Sequence, residues 1–215
     1  MKRLNKAALA LTAVCVLSSG VAQAALFDRG GGLIYDNVLK ITWLSDANYA
    51  KTNNYDSDGL MNWTAAKAWA AGLSYGGYHD WRLPTALSQD GSGPCGGYNC
   101  YSSEMGHLFY IDGGLSQNQS ITTSATLTNY FTNMQSNVYW SGTAYVYFPT
   151  EVAWLFGTSG GTQSTDFQSK EFHAWAVRPG DVAAVPEPEA YALLIAGLGL
   201  LGMVAKRRRR LYGAS

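Results

Sequence analysis

The last thirty residues set the terms for everything upstream. Pro186-Glu187-Pro188 precedes an uncharged apolar run, residues 190–205, which stops at Lys206 and the four arginines Arg207–Arg210. At 1.5 Å rise per residue a helix over that run reaches about 24 Å, enough for the ~30 Å hydrocarbon core once the flanking side chains snorkel. Five consecutive cations hold their side of the span in the cytoplasm, so the chain before it faces outward. The two prolines cannot enter a helix interior, which keeps the motif extended above the membrane and open to a protease.

This order of parts, over about residues 185–210, resembles the family of C-terminal sorting signals named for the Pro-Glu-Pro motif. The resemblance implies processing by an exosortase-type membrane enzyme that cuts near the motif and releases or transfers the protein. An ordinary single-span anchor is the alternative. At the other end, Lys2, Arg3 and Lys6, an apolar stretch over 7–17 and the small-x-small site Ala22-Gln23-Ala24 before Ala25 read as a secretory signal peptide, which would carry Cys15 away with it. The expected division is a signal peptide over 1–24, an extracellular body over 25–185, a sorting signal over 186–210 with its span at 190–205, and a cytoplasmic remnant over 211–215. Such a protein is exported, held briefly in the inner membrane, then left at the cell surface or in the extracellular matrix.

The whole chain is formally neutral, but eight of its cations belong to the two ends. The body keeps seven Lys/Arg against thirteen Asp/Glu, a net charge of −6. An acidic domain with scattered cations and no basic stripe excludes nucleic acid as a partner and disfavours strongly anionic polysaccharides.

The body also holds all seven tryptophans, all seven phenylalanines and twelve of the fourteen tyrosines, with frequent glycine and little helical periodicity. That composition predicts one loop-rich α+β domain. Leu33–Asp36 and Leu39–Leu44 read as two strands about an Asp36-Asn37 turn. Asn62 caps a helix over Trp63–Leu73 whose Trp63, Ala66, Trp69, Ala70 and Leu73 face the core, with Gly76-Gly77 as its exit. Trp81 and Leu83 alternate with Asp80 and Arg82 in a strand that Pro84 ends, and Arg82 is expected to clamp a carboxylate such as Asp80 or a strand-end carbonyl. Tyr139-Trp140 and Ala153–Phe156 read as neighbouring strands, Phe172–Arg178 as a terminal strand, and Gly160-Gly161 as the turn between the last two.

Trp63, Asp80-Trp81-Arg82-Leu83-Pro84, Tyr139-Trp140-Ser141, Ala153-Trp154 and Val177-Arg178, taken in this order over about residues 33–180, resemble the Legionella collagen-like protein C-terminal domain family. The resemblance implies a C-type-lectin-like α+β fold and a surface or adhesive role. In the stretch between helix and strands, Cys95 and Cys100 are the only cysteines left after signal cleavage and should pair, a staple contributing roughly 2 kcal/mol. Ser102 or Ser103 caps a short helix with Met105, Leu108 and Phe109. Residues 116–137 read as surface loop pinned by Leu127 and Phe131.

No catalytic constellation stands out. His79, His107 and His173 are far apart in sequence, and only His79 and His173, on core strands, have a route to a shared zinc site. Glu104, Glu151 and Glu171 lack a paired carboxylate context for glycosidic chemistry. No cofactor is expected. Tyr55-Asp56-Ser57-Asp58-Gly59 partly matches a calcium loop but lacks the acidic residue at its end, so an Asp/Gly turn is the expectation. The reading that follows is a non-catalytic module binding glycan or exopolysaccharide. The alternatives are a matrix component without a discrete ligand and, last, an extracellular enzyme. The candidate ligand-binding loops are Asn53–Asp58, Tyr98–Tyr101 and Tyr145–Phe148, with Tyr98, Tyr101, Tyr145 and Tyr147 as the rings most suited to stacking on sugars.

Overall fold

A computed structural model describes residues 26–182. The signal peptide with Ala22, Ala24 and Ala25, the Pro186-Glu187-Pro188 motif, the apolar run 190–205 and the remnant 211–215 lie outside the described residues. Among the described residues no helix is long and apolar enough to cross a membrane.

Two sheets organise the chain. The first runs β1 (Leu26–Asp28), β2 (Leu33–Asp36), β3 (Ile41–Leu44), β9 (Val177–Pro179), all antiparallel, so the first hairpin is joined to the last strand. The second runs β4 (Leu60–Met61), β8 (Phe172–His173), β5 (Val138–Ala144), β6 (Val152–Gly157), β7 (Thr162–Phe167). The helices are α1 (Tyr49–Thr52), α2 (Trp63–Ala71), α3 (Glu104–His107) and α4 (Ala125–Tyr130). A π-helical turn, Leu108–Asp112, continues α3, and a 3-10 turn, Ile121–Thr123, precedes α4.

The period-2 geometry of strands sends alternate side chains to two different cores. Leu33, Trp140, Leu155 and Ala176 pack with α2, while Ile34, Tyr139, Phe156 and Val177 pack with α3, the π turn and α4. A chain with so many large rings therefore buries both faces of its strands. Six of the seven tryptophans are buried. The indole N–H groups of Trp63, Trp140 and Trp175 donate to the carbonyls of Ser141, Met61 and Leu44 at 2.7–2.8 Å, so these rings fasten separate elements as well as fill volume.

The local expectations meet the structure unevenly. The hairpin forms, with its second strand starting at Ile41 because Lys40 takes a left-handed φ of 54° in the turn. Asn62 caps α2 through its side chain, which accepts from Ala65 N, and Ser103 caps α3 in the same way through Gly106 N. The helix α2 ends at Ala71, two residues before Leu73, which is still buried. Residues 80–84 form no strand: only Arg82 bridges, to Val177, although Trp81 and Leu83 are buried as the alternation required. The terminal strand is broken in two. β8 pairs with β4 and β5, β9 pairs with β3, and Ala174–Ala176 carry the buried chain from one sheet to the other. The Gly160-Gly161 turn leads to β7, a polar strand that the apolar pattern did not reveal. The stretch 116–137 is more than surface loop, since Ile121 joins Leu127 and Phe131 in the core around the 3-10 turn and α4.

Candidate functional site

The β5–β6 connection, residues 145–151, folds back on itself. Phe148 N donates to Tyr145 O, Val152 N to Phe148 O, and Tyr145 N to Val152 O. Gln168 ties this turn to the strand beyond it, its amide donating to Pro149 O and Val152 O. A tightly bonded turn cannot turn all its side chains inward, and this one presents rings to solvent. Val146 is 76% exposed, Tyr147 75% and Phe148 57%, and Phe167 at the end of β7 is also 57% exposed. Phe148 and Phe167 line an open cleft of about 480 Å³ together with Tyr145, Glu151, Val152, Thr165 and Asp166.

Trp154, which the sequence pattern places in the fold-holding set, is instead only half-buried. Its ring lies edge-on to Tyr145, 5.9 Å between centroids. The disulfide loop approaches the same ring, because a Cβ on Gly96 would stand 3.8 Å from it. Cys95 and Cys100 are bonded with their Cα atoms 5.5 Å apart, and the loop is laid along β7 by paired hydrogen bonds between Gly97 and Gln163. Gln163 then donates to Cys95 O at 2.6 Å. Of the three loops marked in the sequence, Tyr145–Phe148 meets this tryptophan through Tyr145, while the disulfide loop reaches it through Gly96, just before the marked Tyr98–Tyr101. Tyr147 projects beside Tyr145, while Tyr98 donates to Asn118 Oδ1 and Tyr101 stacks edge-on with Tyr110. The third loop serves a turn: Asp56 Oδ1 accepts from Asp58 N and Gly59 N, and Asp58 Oδ1 from Leu60 N.

The charged motif residues are clamps. Arg82 grips Glu104, not Asp80, through two hydrogen bonds of 2.6 and 2.7 Å and also donates to Leu83 O. Asp80 receives Arg178 in the same two-pronged way, and the guanidinium lies 4.0 Å from the Tyr78 ring centroid. That pairing holds the Asp80 carboxyl below its ordinary value.

His79 is exposed and His173 is buried beside Tyr139, and neither belongs to a ligating group. Among the described residues, the cluster that does form joins Asp36, His107 and Asp112, with ligand atoms all within 4.8 Å of one another. Burial raises the carboxyls of Asp36 and Asp112, Asp112 to about 8 with the Asp36 charge adding to it, and lowers the His107 imidazole. At neutral pH the 3.8 Å approach of His107 Nε2 to Asp112 Oδ2 is therefore not an ion pair. Sequence reading missed this group because its members lie up to 76 positions apart, at the end of β2, the end of α3 and the end of the π-helical turn.

Comparison with known families matches residues 184–210 to the PEP-CTERM protein-sorting motif. The match supports an exported, exosortase-sorted surface protein that is anchored at a membrane before processing. No curated protein matches the chain.

Proposed function

We propose that the exported body is a non-catalytic glycan-binding module whose site is the aromatic cleft at the β5–β6 turn. The observation that carries this reading is the pair of exposed rings, Phe148 and Phe167, lining a cleft that also holds the carboxylates Glu151 and Asp166, with the exposed Tyr147 on the same turn. Rings stack on the apolar faces of sugars while carboxylates accept from their hydroxyls, and both are needed for a ligand with one apolar and one polar aspect. The net charge of the body favours neutral glycans or exopolysaccharide over sulfated ones. Export of the chain puts such ligands within reach.

The resemblance to the Legionella collagen-like C-terminal domain family, with its C-type-lectin-like fold, belongs to the same proposal, supported by the mixed α+β architecture. A matrix component without a discrete ligand is the second reading, because the same exposed rings suit contact with another copy of the chain. A neutral-glycan array followed by calorimetry on the best ligand tests the proposal. Saturable binding lost on Tyr147→Ala supports it. No binding to any neutral glycan, together with concentration-dependent self-association abolished by Tyr147→Ala, replaces it with the second reading.

A further inference from the structure

Nine buried side-chain polar atoms among the described residues have no hydrogen-bond partner, and four of them belong to three side chains that meet in one place. Asp36 Oδ2, His107 Nε2 and both carboxylate oxygens of Asp112 are buried without a hydrogen-bond partner. The side chain of Asp112 is 1% exposed, that of His107 8%, and Asp36 is fully buried. A buried polar atom left unpaired costs about 1–3 kcal/mol, so four in one place call for a common ligand.

What the ligand must be follows from which atoms are free. Asp36 Oδ1 is already used, accepting from Val38 N and Leu39 N at 2.9 Å each, which fixes the carboxylate and turns Oδ2 to the cluster. His107 Nε2 has no hydrogen-bond partner. In the tautomer that carries its proton on Nδ1, Nε2 is a lone-pair donor like the carboxylate oxygens beside it. A proton shared by the two carboxyls, or a single water, pairs only part of this set, whereas a cation serves all of it.

The local backbone explains the convergence. At 3.6 residues per turn, residues five apart stand roughly 140° from each other around a helix. The segment 108–112 is π-helical, with Gly113 N donating to Leu108 O, and that wider spacing brings His107 and Asp112 to one side. Such π turns are often found at functional sites. Gly106 allows the segment to approach the disulfide loop, since a Cβ there would overlap the Cys100 carbonyl.

We propose that Asp36, His107 and Asp112 bind a divalent transition-metal ion, zinc best of all, which pins the π-helical segment to the first hairpin. The 3.8 Å between His107 Nε2 and Asp112 Oδ2 fits two ligands each about 2.0–2.2 Å from one zinc ion. The remaining separations, at most 4.8 Å, close with small side-chain rotations. One imidazole with two carboxylates selects zinc or manganese over calcium, which takes oxygen ligands. His107 also lines a shallow surface pocket with Gln89, Asp90, Tyr101, Ser102 and Ile111, which gives the ion a way in.

The test uses the full chain purified without an affinity histidine tag, stripped with chelator, exposed in turn to zinc, manganese and calcium, desalted and assayed for bound metal. The expected result is about one zinc per chain, with a melting temperature several degrees higher than in the stripped protein. His107→Gln should lower retention at least about tenfold, while His79→Gln, on the surface, leaves it unchanged. Visible absorption of cobalt bound to the wild-type chain gives a readout that does not depend on any variant folding. Wild-type protein that retains none of the three ions in stoichiometric amount overturns the proposal and leaves a proton shared between Asp36 and Asp112 as the occupant. Equal retention by His107→Gln, or a preference for calcium, overturns it as well.

Discussion

The buried cluster at Asp36, His107 and Asp112 and the exposed rings of residues 145–148 break opposite halves of one rule. In the first, polar atoms sit in the interior without partners; in the second, apolar rings sit in water without cover. Elsewhere the indoles of Trp63, Trp140 and Trp175 bond to carbonyls and Arg82 and Arg178 pair with carboxylates, while the buried indole nitrogens of Trp43, Trp69 and Trp81 stand singly without a partner. The two exceptions also differ in how they are held. In the cluster, Asp36 is fixed by backbone hydrogen bonds to its side chain, while the cleft is formed by a turn built on backbone-to-backbone bonds. Departures of both kinds are the ones expected at functional or strained sites, and the two proposals above rest on them.

The comparison can be given a scale by mutating the regular part first. Trp175 is fully buried against Trp43, Phe131 and Tyr139, and its indole bonds Leu44 O. Trp175→Ala should cost about 3–5 kcal/mol, read from urea unfolding, since it leaves both a cavity and an unpaired carbonyl. Arg82→Ala comes next, at about 2–3 kcal/mol. It strips Glu104, whose side chain is 8% exposed, of its counter-charge, while Glu104 keeps the bond from Thr85 N and Arg82 itself is partly in solvent. Replacing both Cys95 and Cys100 with Ser should cost about 2 kcal/mol by loop entropy. A far larger loss would mean that the loop supports the buried cluster through Tyr101 as well as lying along β7, and so would couple the two exceptional regions.

Much of the regular part was legible. The hairpin, the Asn62 and Ser103 caps, the disulfide and the burial of Trp81 and Leu83 all follow from residue type and short-range spacing. What was not legible depends on partners distant in the chain. Arg82 has a carboxylate two residues away in Asp80 and chooses one twenty-two residues on in Glu104, because the path of residues 80–84 aims the two arginines at different elements. Strand β7 carries Gln, Ser, Thr and Asp because only part of one face is buried, so no apolar alternation announces it. The terminal strand reads as continuous since its alternation persists through Ala174–Ala176, even as the chain crosses between sheets. The cleft was half legible: Tyr145–Phe148 showed as an aromatic loop, but Phe167 and the exposure of Trp154 needed the sheet order.

The smallest change in stability and the sharpest one in function are expected at the cleft. Tyr147 is 75% exposed and its contact is with Tyr145 alone among the ring pairs, so Tyr147→Ala should alter unfolding free energy by less than about 0.5 kcal/mol. Its effect on a neutral glycan should be about tenfold in affinity, corresponding to roughly 1.4 kcal/mol of lost stacking. Trp154→Ala provides the contrast, since that ring supports Tyr145 from beneath and packs toward Gly96. It should weaken binding while also lowering stability by about 1 kcal/mol or more, as the partial burial of a large ring implies. If Tyr147→Ala instead destabilises the fold as much as Trp154→Ala does, the exposed rings are part of the packing, and the contrast between a ligand-ready surface and a ligand-ready interior fails on the surface side.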